Sequence, residues 1–213
     1  MRFSDLVARA AALAEGPGRA ILGITGSPGA GKSTLVEALL RELDPERVAH
    51  VPMDGFHLAD VALRAIGRLD AKGAPDTFDV GGYVALLRRI RADAEDVIYA
   101  PAFERDLEQP LAGAIAVPRS ARLVLTEGNY LLVPSGRWPE VAEQLDEVWF
   151  CDPRPEVRLN QLVARHVRFG KAPDQAKAWV ASVDEPNARL VESTRDRADL
   201  VIPAEVLEKL TPA

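Results

Sequence analysis

The segment Gly26-Ser-Pro-Gly-Ala-Gly31-Lys32-Ser33 decides the fold. It matches the pattern G-x-x-x-x-G-K-[ST], in which glycines let the backbone wrap closely around an anion. A short apolar run, Ala20–Thr25, precedes the segment and predicts a buried strand. Residues 33–43 follow it with apolar side chains at helical spacing. Strand, glycine-rich loop and helix in this order predict the opening of an α/β domain.

The loop predicts a binding site for ATP. Main-chain N–H groups of the loop and the N-terminus of the following helix would hold the β-phosphate. Lys32 would bridge the β- and γ-phosphates, and the Ser33 hydroxyl would bind Mg²⁺. The alternative is a glycine-rich turn that binds nothing, and eight matching positions in the right structural frame argue against it. The residues predicted to bind ATP here are Gly26, Ser27, Pro28, Gly29, Ala30, Gly31, Lys32, Ser33 and Thr34.

The composition is that of an ordinary globular protein. Hydrophobic residues make up 47% and charged residues 27% of the 213 positions. This length favours one core over two, so residues 1–213 are predicted to form a single domain. With a formal net charge of −6, the chain lacks the strong positive charge that nucleic-acid binding usually requires, so we expect no nucleic-acid polymer among the partners.

The cysteine content and the N-terminal segment bear on location. Cys151 is the only cysteine, which excludes an intramolecular disulfide and fits a reducing compartment. The first apolar residues recur at helical spacing and are interrupted by Asp5 and Glu15, so they predict an amphipathic helix and not a signal segment. No run reaches the roughly 18 apolar residues of a membrane span. We therefore expect a cytoplasmic protein with no membrane partner.

Short apolar runs alternate with helical periodicity along the rest of the chain. Such alternation predicts a mostly parallel sheet covered by helices on both faces. The further strands are predicted at residues 48–52, 97–100, 122–126, 147–151 and 200–203. Helices are predicted at residues 80–94, with Asp79 as N-cap, at 155–169, and at 173–197 with a break near Pro186. Residues 106–118 contain two prolines and predict a small hairpin or flap that could cover a substrate.

Two carboxylates follow predicted strands at the edge where α/β folds bind ligands. Asp54 comes directly after the second apolar run and is a candidate general base, which would accept the proton of a hydroxyl acceptor. Its alternative role is in a turn, because Asp-Gly is a common turn signal. Glu127 ends the fourth run and is a candidate Mg²⁺ ligand, the alternative being a solvated residue at a strand end.

Five motifs in order carry a family resemblance. They are the glycine-rich loop, the MDGFHL segment from Met53, the KGAPDTFD segment from Lys72, the YAPAF segment from Tyr99 followed by Arg105, and the TEGNYLL segment from Thr126. Together they resemble the superfamily of uridine kinase, bacterial pantothenate kinase and phosphoribulokinase, and within it small bacterial nucleoside- or fructose-kinase-like proteins. The resemblance implies a three-layer P-loop NTPase fold with a helical lid. It also implies Asp54 as base, Glu127 on the metal side, and ATP with Mg²⁺ as cofactors.

Position and chemistry suggest which groups face the acceptor. His57 and Tyr99 offer neutral hydrogen bonds, Asp76 and Arg105 offer charge, and nearby phenylalanines offer ring faces. An exposed surface arginine and core aromatics are the alternatives for Arg105 and for the phenylalanines. The residues predicted to contact the acceptor are Asp54, His57, Asp76, Tyr99, Arg105 and Glu127.

Residues 154–172 are predicted to form the lid. Arg158, Arg165 and Arg168 are separated by seven and three positions, which places them roughly on one helical face. On composition alone a solvated basic face is favoured, and the resemblance favours a lid that neutralises the triphosphate and excludes water. Related uridine kinases show an arginine pair where this chain has Gln161 and Leu162. By the same resemblance, Asn187 approaches the nucleotide base.

The predicted function is transfer of the γ-phosphoryl group of ATP to a hydroxyl of a small metabolite. Lys32, Asp54 and Arg165 are the predicted catalytic residues. Few aromatics and many small residues favour a sugar, fructose-like, and uridine, cytidine or pantothenate are the alternatives. A nucleotide-driven P-loop ATPase switch is an alternative of another class, although the guanine-specifying N-K-x-D motif is absent from the sequence. The resemblance also allows a homodimer.

Overall fold

The computed structural model describes residues 1–210, and its strands form two separate sheets. The five strands of the main sheet are β1 (Ala20–Thr25), β2 (Val48–His50), β5 (Leu123–Gly128), β6 (Glu147–Asp152) and β7 (Leu200–Pro203). They lie in the order β2-β5-β1-β6-β7, and every adjacent pair is parallel. The second sheet is an antiparallel pair formed by β3 (Val97–Glu104) and β4 (Gln109–Pro118).

Helices connect the strands and cover both faces of the main sheet. They are α1 (Phe3–Ala14), α2 (Lys32–Glu42), α3 (Asp60–Ala65), α4 (Val80–Ala92), α5 (Trp138–Ala142), α6 (Pro155–Arg168), α7 (Pro173–Trp179), α8 (Glu185–Glu192) and α9 (Ala204–Leu207). Short 3₁₀ turns lie at Met53–Phe56, Leu69–Ala71, Pro75–Thr77 and Arg195–Arg197. A π-helical turn, Val180–Asp184, joins α7 to α8.

Two hydrophobic cores lie on opposite faces of the main sheet. Successive residues of a strand point to opposite faces, so Ile21 packs with the α4 side while Leu22 packs with α1 and α2. In β6 the same alternation sends Trp149 to one core and Phe150 to the other. Burial on both faces explains why these strands read as continuous apolar runs. The predicted three-layer α/β fold with a mostly parallel sheet is thereby confirmed.

The prediction was wrong for residues 97–100, which do not enter the main sheet. They begin β3, which pairs with β4 in the antiparallel hairpin. Ile98 and Ala100 are buried while Val97 and Tyr99 are exposed, the alternation of a strand with one face in solvent. The hairpin predicted over residues 106–118 is present, with β4 as one of its strands. Its prolines are tolerated because this small sheet consists of edge strands.

The helical segment predicted at residues 173–197 breaks earlier than expected. The interruption is the π-helical turn Val180–Asp184, and α8 follows it directly with Pro186 as its second residue. Other boundaries agree with the sequence pattern. Asp79 caps α4, since its side chain accepts a hydrogen bond from the Gly82 N–H at 2.8 Å. Among the described helices none combines the length and apolarity needed to cross a membrane.

Candidate active site

Three site segments meet at the carboxyl edge of the main sheet. The glycine-rich loop follows β1, and Glu127 is the penultimate residue of the neighbouring β5, in register with Ile24 of β1. Asp54 lies in the 3₁₀ turn that follows β2, on the other side of β5. Parallel strands end at the same edge, so the three segments converge although about 100 residues separate the first from the last.

The loop conformation depends on its glycines. Gly29 and Gly31 have φ of 78° and 81°, in the left-handed region that favours glycine. A Cβ on Gly26 would lie 2.8 Å from the Cys151 carbonyl oxygen of β6. A Cβ on Gly29 would lie 2.7 Å from Cγ of Leu162 in α6. The loop is therefore held between the sheet edge and α6, with no room for a side chain at Gly26 or Gly29.

Replacing Gly29 with alanine is expected to lower the free energy of unfolding by about 1–3 kcal/mol and to weaken nucleotide binding, because the new side chain is strained at this φ and meets Leu162. Gly67→Ala is the matched control, since Gly67 has φ of 66° with open space around it. Chemical denaturation and titration with an ATP analogue measure both effects. Equal losses in the two variants would contradict the proposed contact with Leu162.

Lys32 is held at the centre of the loop by three acceptors. Its Nζ donates to the Gly26 carbonyl at 3.0 Å, to the Ser27 carbonyl at 3.1 Å and to Asn129 Oδ1 at 2.7 Å. Burial lowers the pKa of Lys32, and the nearby Glu127 carboxylate opposes that shift. Asn129 itself is fixed by Thr25, whose hydroxyl donates to the Asn129 carbonyl at 3.2 Å. Asn129 belongs to the TEGNYLL segment, but the sequence pattern alone gave no reason to place its side chain on the loop lysine.

Ser33 and Glu127 form a pair of oxygen ligands beside the lysine. Ser33 Oγ donates to Glu127 Oε2 at 3.0 Å. Burial raises the pKa of Glu127, and the charge of Lys32 opposes the rise. His50 Nε2 lies 3.8 Å from Glu127 Oε1, and burial lowers the pKa of His50 to about 4, so this ring is neutral at physiological pH. No group of three or more His, Cys, Asp or Glu residues within residues 1–210 is arranged to hold a metal ion by itself.

Asp54 faces an arginine and orients a histidine. Arg105 Nη2, at the end of β3, lies 3.4 Å from Asp54 Oδ2. The main-chain carbonyl of Asp54 accepts a hydrogen bond from His57 Nδ1 at 2.7 Å. The His57 ring lies between two phenylalanine rings, with centroids 4.1 Å from Phe78 and 4.7 Å from Phe103. Burial lowers the pKa of His57, which keeps its ring neutral.

These groups line one cavity of about 340 Å³. The predicted site residues that line it are Pro28, Gly29, Lys32, Ser33, Asp54, His57, Arg105, Glu127, Arg165 and Asn187. The other predicted loop residues, Gly26, Ser27, Ala30, Gly31 and Thr34, belong to the loop and its helix but do not line the cavity. Lining residues that the sequence analysis did not assign include Lys72, Asn129, His166, Lys171, Trp179 and Asp184.

Two residues predicted to contact the acceptor lie away from the cavity. Asp76 is exposed and forms an ion pair with Arg68 at 2.8 Å. Tyr99 is 62% exposed, because it occupies the outward-facing position between the buried Ile98 and Ala100. Neither side chain lines the cavity, so the geometry gives no support for assigning them to the acceptor.

The three arginines of α6 do not act as one basic face. Arg165 lines the cavity. Arg158 is buried near the start of α6, where Nη1 donates to the Pro28 carbonyl at 3.4 Å and Nη2 donates to Glu185 at 2.5 Å. Arg168 is exposed and does not line the cavity. The expectation of a shared face over the triphosphate is corrected: α6 rests on the loop at one end and passes over the cavity only at the other.

A phosphate-binding loop with its lysine, two carboxylates at the same sheet edge and a helix that brings an arginine over the cavity define a P-loop kinase. The sequence profile of the family described as methylmalonyl Co-A mutase-associated GTPase MeaB matches residues 5–56. This match spans α1 to the turn after β2 and includes the glycine-rich loop, so it concerns the nucleotide half alone.

Similar proteins cover most of the chain. An uncharacterised protein, YggC of Escherichia coli K12, is 32% identical over 188 residues, covering 86% of this chain and 77% of that protein. A Schizosaccharomyces pombe protein provisionally described as a uridine kinase is 28% identical, and the match covers 98% of this chain and 91% of that protein. The crystal structure of a Silicibacter sp. TM1040 protein, provisionally described as a fructose transport system kinase, has a TM-score of 0.86 and 33% sequence identity. The match covers 95% of this chain and 100% of that chain.

The chain belongs to the P-loop kinase family that includes uridine kinase, pantothenate kinase and phosphoribulokinase. It is an ATP-dependent phosphotransferase that acts on a hydroxyl of a small metabolite. The resemblance inferred from five sequence motifs is thereby confirmed, as is the kinase class over the nucleotide-driven switch.

Proposed function

We propose that the enzyme phosphorylates a sugar or similar polyol, with Asp54 as general base. The observation that carries this proposal is that Asp54 and the phosphate-binding Lys32 line the same cavity from strand ends on either side of β5. A hydroxyl beside Asp54 would face the γ-phosphate held at the loop. In a loose transition state for phosphoryl transfer, positioning of this kind and charge stabilisation supply most of the catalysis.

On the nucleotide side, loop N–H groups and Lys32 hold the phosphates, and Arg165 neutralises charge on the transferred group. Residues 154–172 act as a lid, and Asn187 contributes to nucleotide binding from α8. The ligands beside Lys32 fit Mg²⁺, which prefers oxygen ligands: Ser33 Oγ and Glu127 Oε2 lie 3.0 Å apart and face the phosphate site. We assign both to the metal, which when bound would neutralise charge on the β- and γ-oxygens.

The position of Asp54 in the cavity allows it to act as a base. Its carboxylate lines the cavity, within reach of a hydroxyl bound there, and Arg105 Nη2 lies 3.4 Å from Asp54 Oδ2. As the acceptor oxygen bonds to the γ-phosphorus, the bond from that phosphorus to the bridging oxygen breaks and ADP leaves, while the proton of the acceptor hydroxyl passes to a carboxylate oxygen of Asp54. Arg105 also offers a second contact to the acceptor, because an arginine can bind carboxylate and hydroxyl oxygens at the same time.

His57 supports a polyol as acceptor. Its Nδ1 donates to the Asp54 carbonyl, so in the neutral ring Nε2 carries the lone pair and accepts a hydrogen bond. His57 Nε2 can therefore accept a hydrogen bond from a second hydroxyl of the substrate, next to the hydroxyl that is phosphorylated. The description of the Silicibacter protein as a fructose transport system kinase agrees with this choice. We expect such an enzyme to work in the cytoplasm, where ATP is made and a free Cys151 stays reduced.

A nucleoside is the second candidate. Phe103 and Trp179 line the cavity and would stack on a base, and the Schizosaccharomyces pombe relative is described as a uridine kinase. Sugars and nucleosides both carry neighbouring hydroxyls, so His57 serves either acceptor. The two candidates differ in whether the aromatic rings contribute to acceptor binding.

The test of function is ADP release from ATP in the presence of single acceptors. The panel consists of sugars, nucleosides and pantothenate, with a reaction lacking any acceptor as baseline. We expect ADP release to rise well above that baseline with one sugar class, and the phosphorylated product to appear in equal amount. Vigorous ADP release in water alone, unchanged by every acceptor, would overturn the proposal.

Replacing His57 with leucine is expected to remove discrimination between the preferred acceptor and its deoxy analogue. In the unmodified enzyme, loss of the hydroxyl that donates to Nε2 should lower kcat/KM about tenfold or more, because a buried acceptor is then left unpaired. In His57→Leu the two compounds should react at similar rates. The measurement is kcat/KM over a series of monodeoxy analogues. If His57→Leu still reacted much faster with the preferred acceptor than with its deoxy analogue, His57 would not take part in acceptor recognition.

A further inference from the structure

His166 and Asp184 form a hydrogen-bonded pair at the lid side of the cavity. His166 Nε2 lies 2.8 Å from Asp184 Oδ2, and their side chains are 13% and 12% exposed. His166 belongs to the last turn of α6, and Asp184 ends the π-helical turn after α7. Both residues line the cavity. The pair therefore joins two elements at the point where both face the site.

The π-helical turn gives this pair its geometry. A π turn holds one residue more than an α-helical turn, and such turns are frequent at functional sites. The extra residue changes the direction of the side chains within and after the turn, and Val183, Asp184 and Asn187 line the cavity. Ser182 closes the turn, since its hydroxyl donates to the Ala178 carbonyl at 2.8 Å. The irregular turn is thus what allows Asp184 to meet His166.

Arg165 lies next to His166 along α6. It lines the cavity, and within residues 1–210 no carboxylate lies within ion-pair distance of its guanidinium. Arg158 and His166 both join α6 to the segments that follow it. Arg158 bonds Glu185 of α8 at the start of α6, and His166 bonds Asp184 at its end. The contact between His166 and Asp184 is the one adjacent to Arg165 along α6.

We propose that His166 and Asp184 are a positioning pair, which locks the end of α6 onto the π-helical turn and so holds Arg165 over the transferred phosphoryl group. This inference rests on the proposed function. With the pair intact, Arg165 neutralises developing charge and the lid keeps water from the γ-phosphate. Without it, the end of α6 moves away, phosphoryl transfer slows, and water competes with the acceptor.

The test compares His166→Ala, Asp184→Ala and Arg165→Ala, alone and in pairs. Each change at the pair should lower kcat for transfer about tenfold and raise the ratio of ATP hydrolysis to acceptor phosphorylation several-fold, with the acceptor KM within about twofold. Because the pair acts through Arg165, His166→Ala should add no further loss to Arg165→Ala. His166→Gln keeps a side-chain hydrogen-bond donor and should recover part of the rate. Arg189→Ala, at an exposed position on α8, is the control and should be unchanged.

Three results would overturn the inference. One is an unchanged ratio of hydrolysis to transfer in folded variants. Another is full additivity of His166→Ala with Arg165→Ala, which would mean that the two residues act independently. The third is a change in acceptor KM alone, which would make Asp184 a direct acceptor contact. If either alanine variant fails to fold, Asp184→Asn and His166→Gln carry the same comparison. Failure of the proposed function would look different, because the unmodified enzyme would then phosphorylate no acceptor.

Discussion

Replacing Asp54 with asparagine is expected to lower kcat for phosphoryl transfer about 10³-fold while leaving ATP affinity nearly unchanged. Asparagine keeps the size of the side chain and the main-chain hydrogen bond from His57, but it cannot take the proton of the acceptor. Arg105 at 3.4 Å would in addition lose its anionic partner. Steady-state kinetics with the best acceptor, together with titration of an ATP analogue, separate the loss of transfer from a loss of binding.

Asp196→Asn is the matched control for this prediction. Asp196 carries the same side chain at a position where it is 97% exposed, and it does not line the cavity. Its kinetics should equal those of the unmodified enzyme. If Asp54→Asn kept full activity on the best acceptor, the assignment of Asp54 as base would be wrong, although the kinase class would stand.

Replacing Lys32 with alanine is expected to lower kcat about 10²- to 10³-fold and to weaken ATP binding as well. The lysine supplies a positive charge in a partly buried site, where charge acts more strongly on the phosphates than it would in water. Its loss also releases the carbonyls of Gly26 and Ser27 and the amide of Asn129, which now converge on Nζ. The loop would lose both its charge and its internal support.

Lys32→Arg distinguishes charge from geometry. A guanidinium keeps the charge but is planar and larger, so it cannot make the three close contacts of Nζ, and we expect it to restore little of the rate. Lys209→Ala, at an exposed position, is the control and should behave like the unmodified enzyme. Kinetics and ATP-analogue titration measure both variants. Near-normal turnover in Lys32→Ala would contradict the role proposed for the loop lysine.

The glycine-rich loop and the strand and helix on either side of it could be predicted because their sequence signals are local. The glycine pattern fixes the loop conformation, and the flanking apolar runs fix the strand and helix around it. Asp54 and Glu127 reach the cavity because one follows β2 and the other lies at the end of β5, in the same parallel sheet that the sequence pattern indicated. For these residues, position along the chain determines position in space.

Other residues depend on contacts that no local pattern encodes. The burial of Arg158 requires Glu185, a partner 27 residues away on another helix. Asp76 is held by Arg68 outside the cavity, and Tyr99 follows the pleat of β3 to the exposed side. The contact between His166 and Asp184 depends on one π-helical turn, which periodicity analysis reads as an ordinary helix. Long-range pairing and side-chain direction explain what the sequence analysis missed.

The connection between β2 and β5 holds nearly all the groups that we assign to the acceptor. Asp54, His57, Phe103 and Arg105 lie within this one stretch, and the glycine-rich loop lies outside it. The two strands are neighbours in the sheet, so the stretch leaves and returns at adjacent positions without altering the order of the other strands. A lineage can therefore acquire a new substrate through changes confined to one uninterrupted part of its gene, while the machinery for ATP is inherited intact.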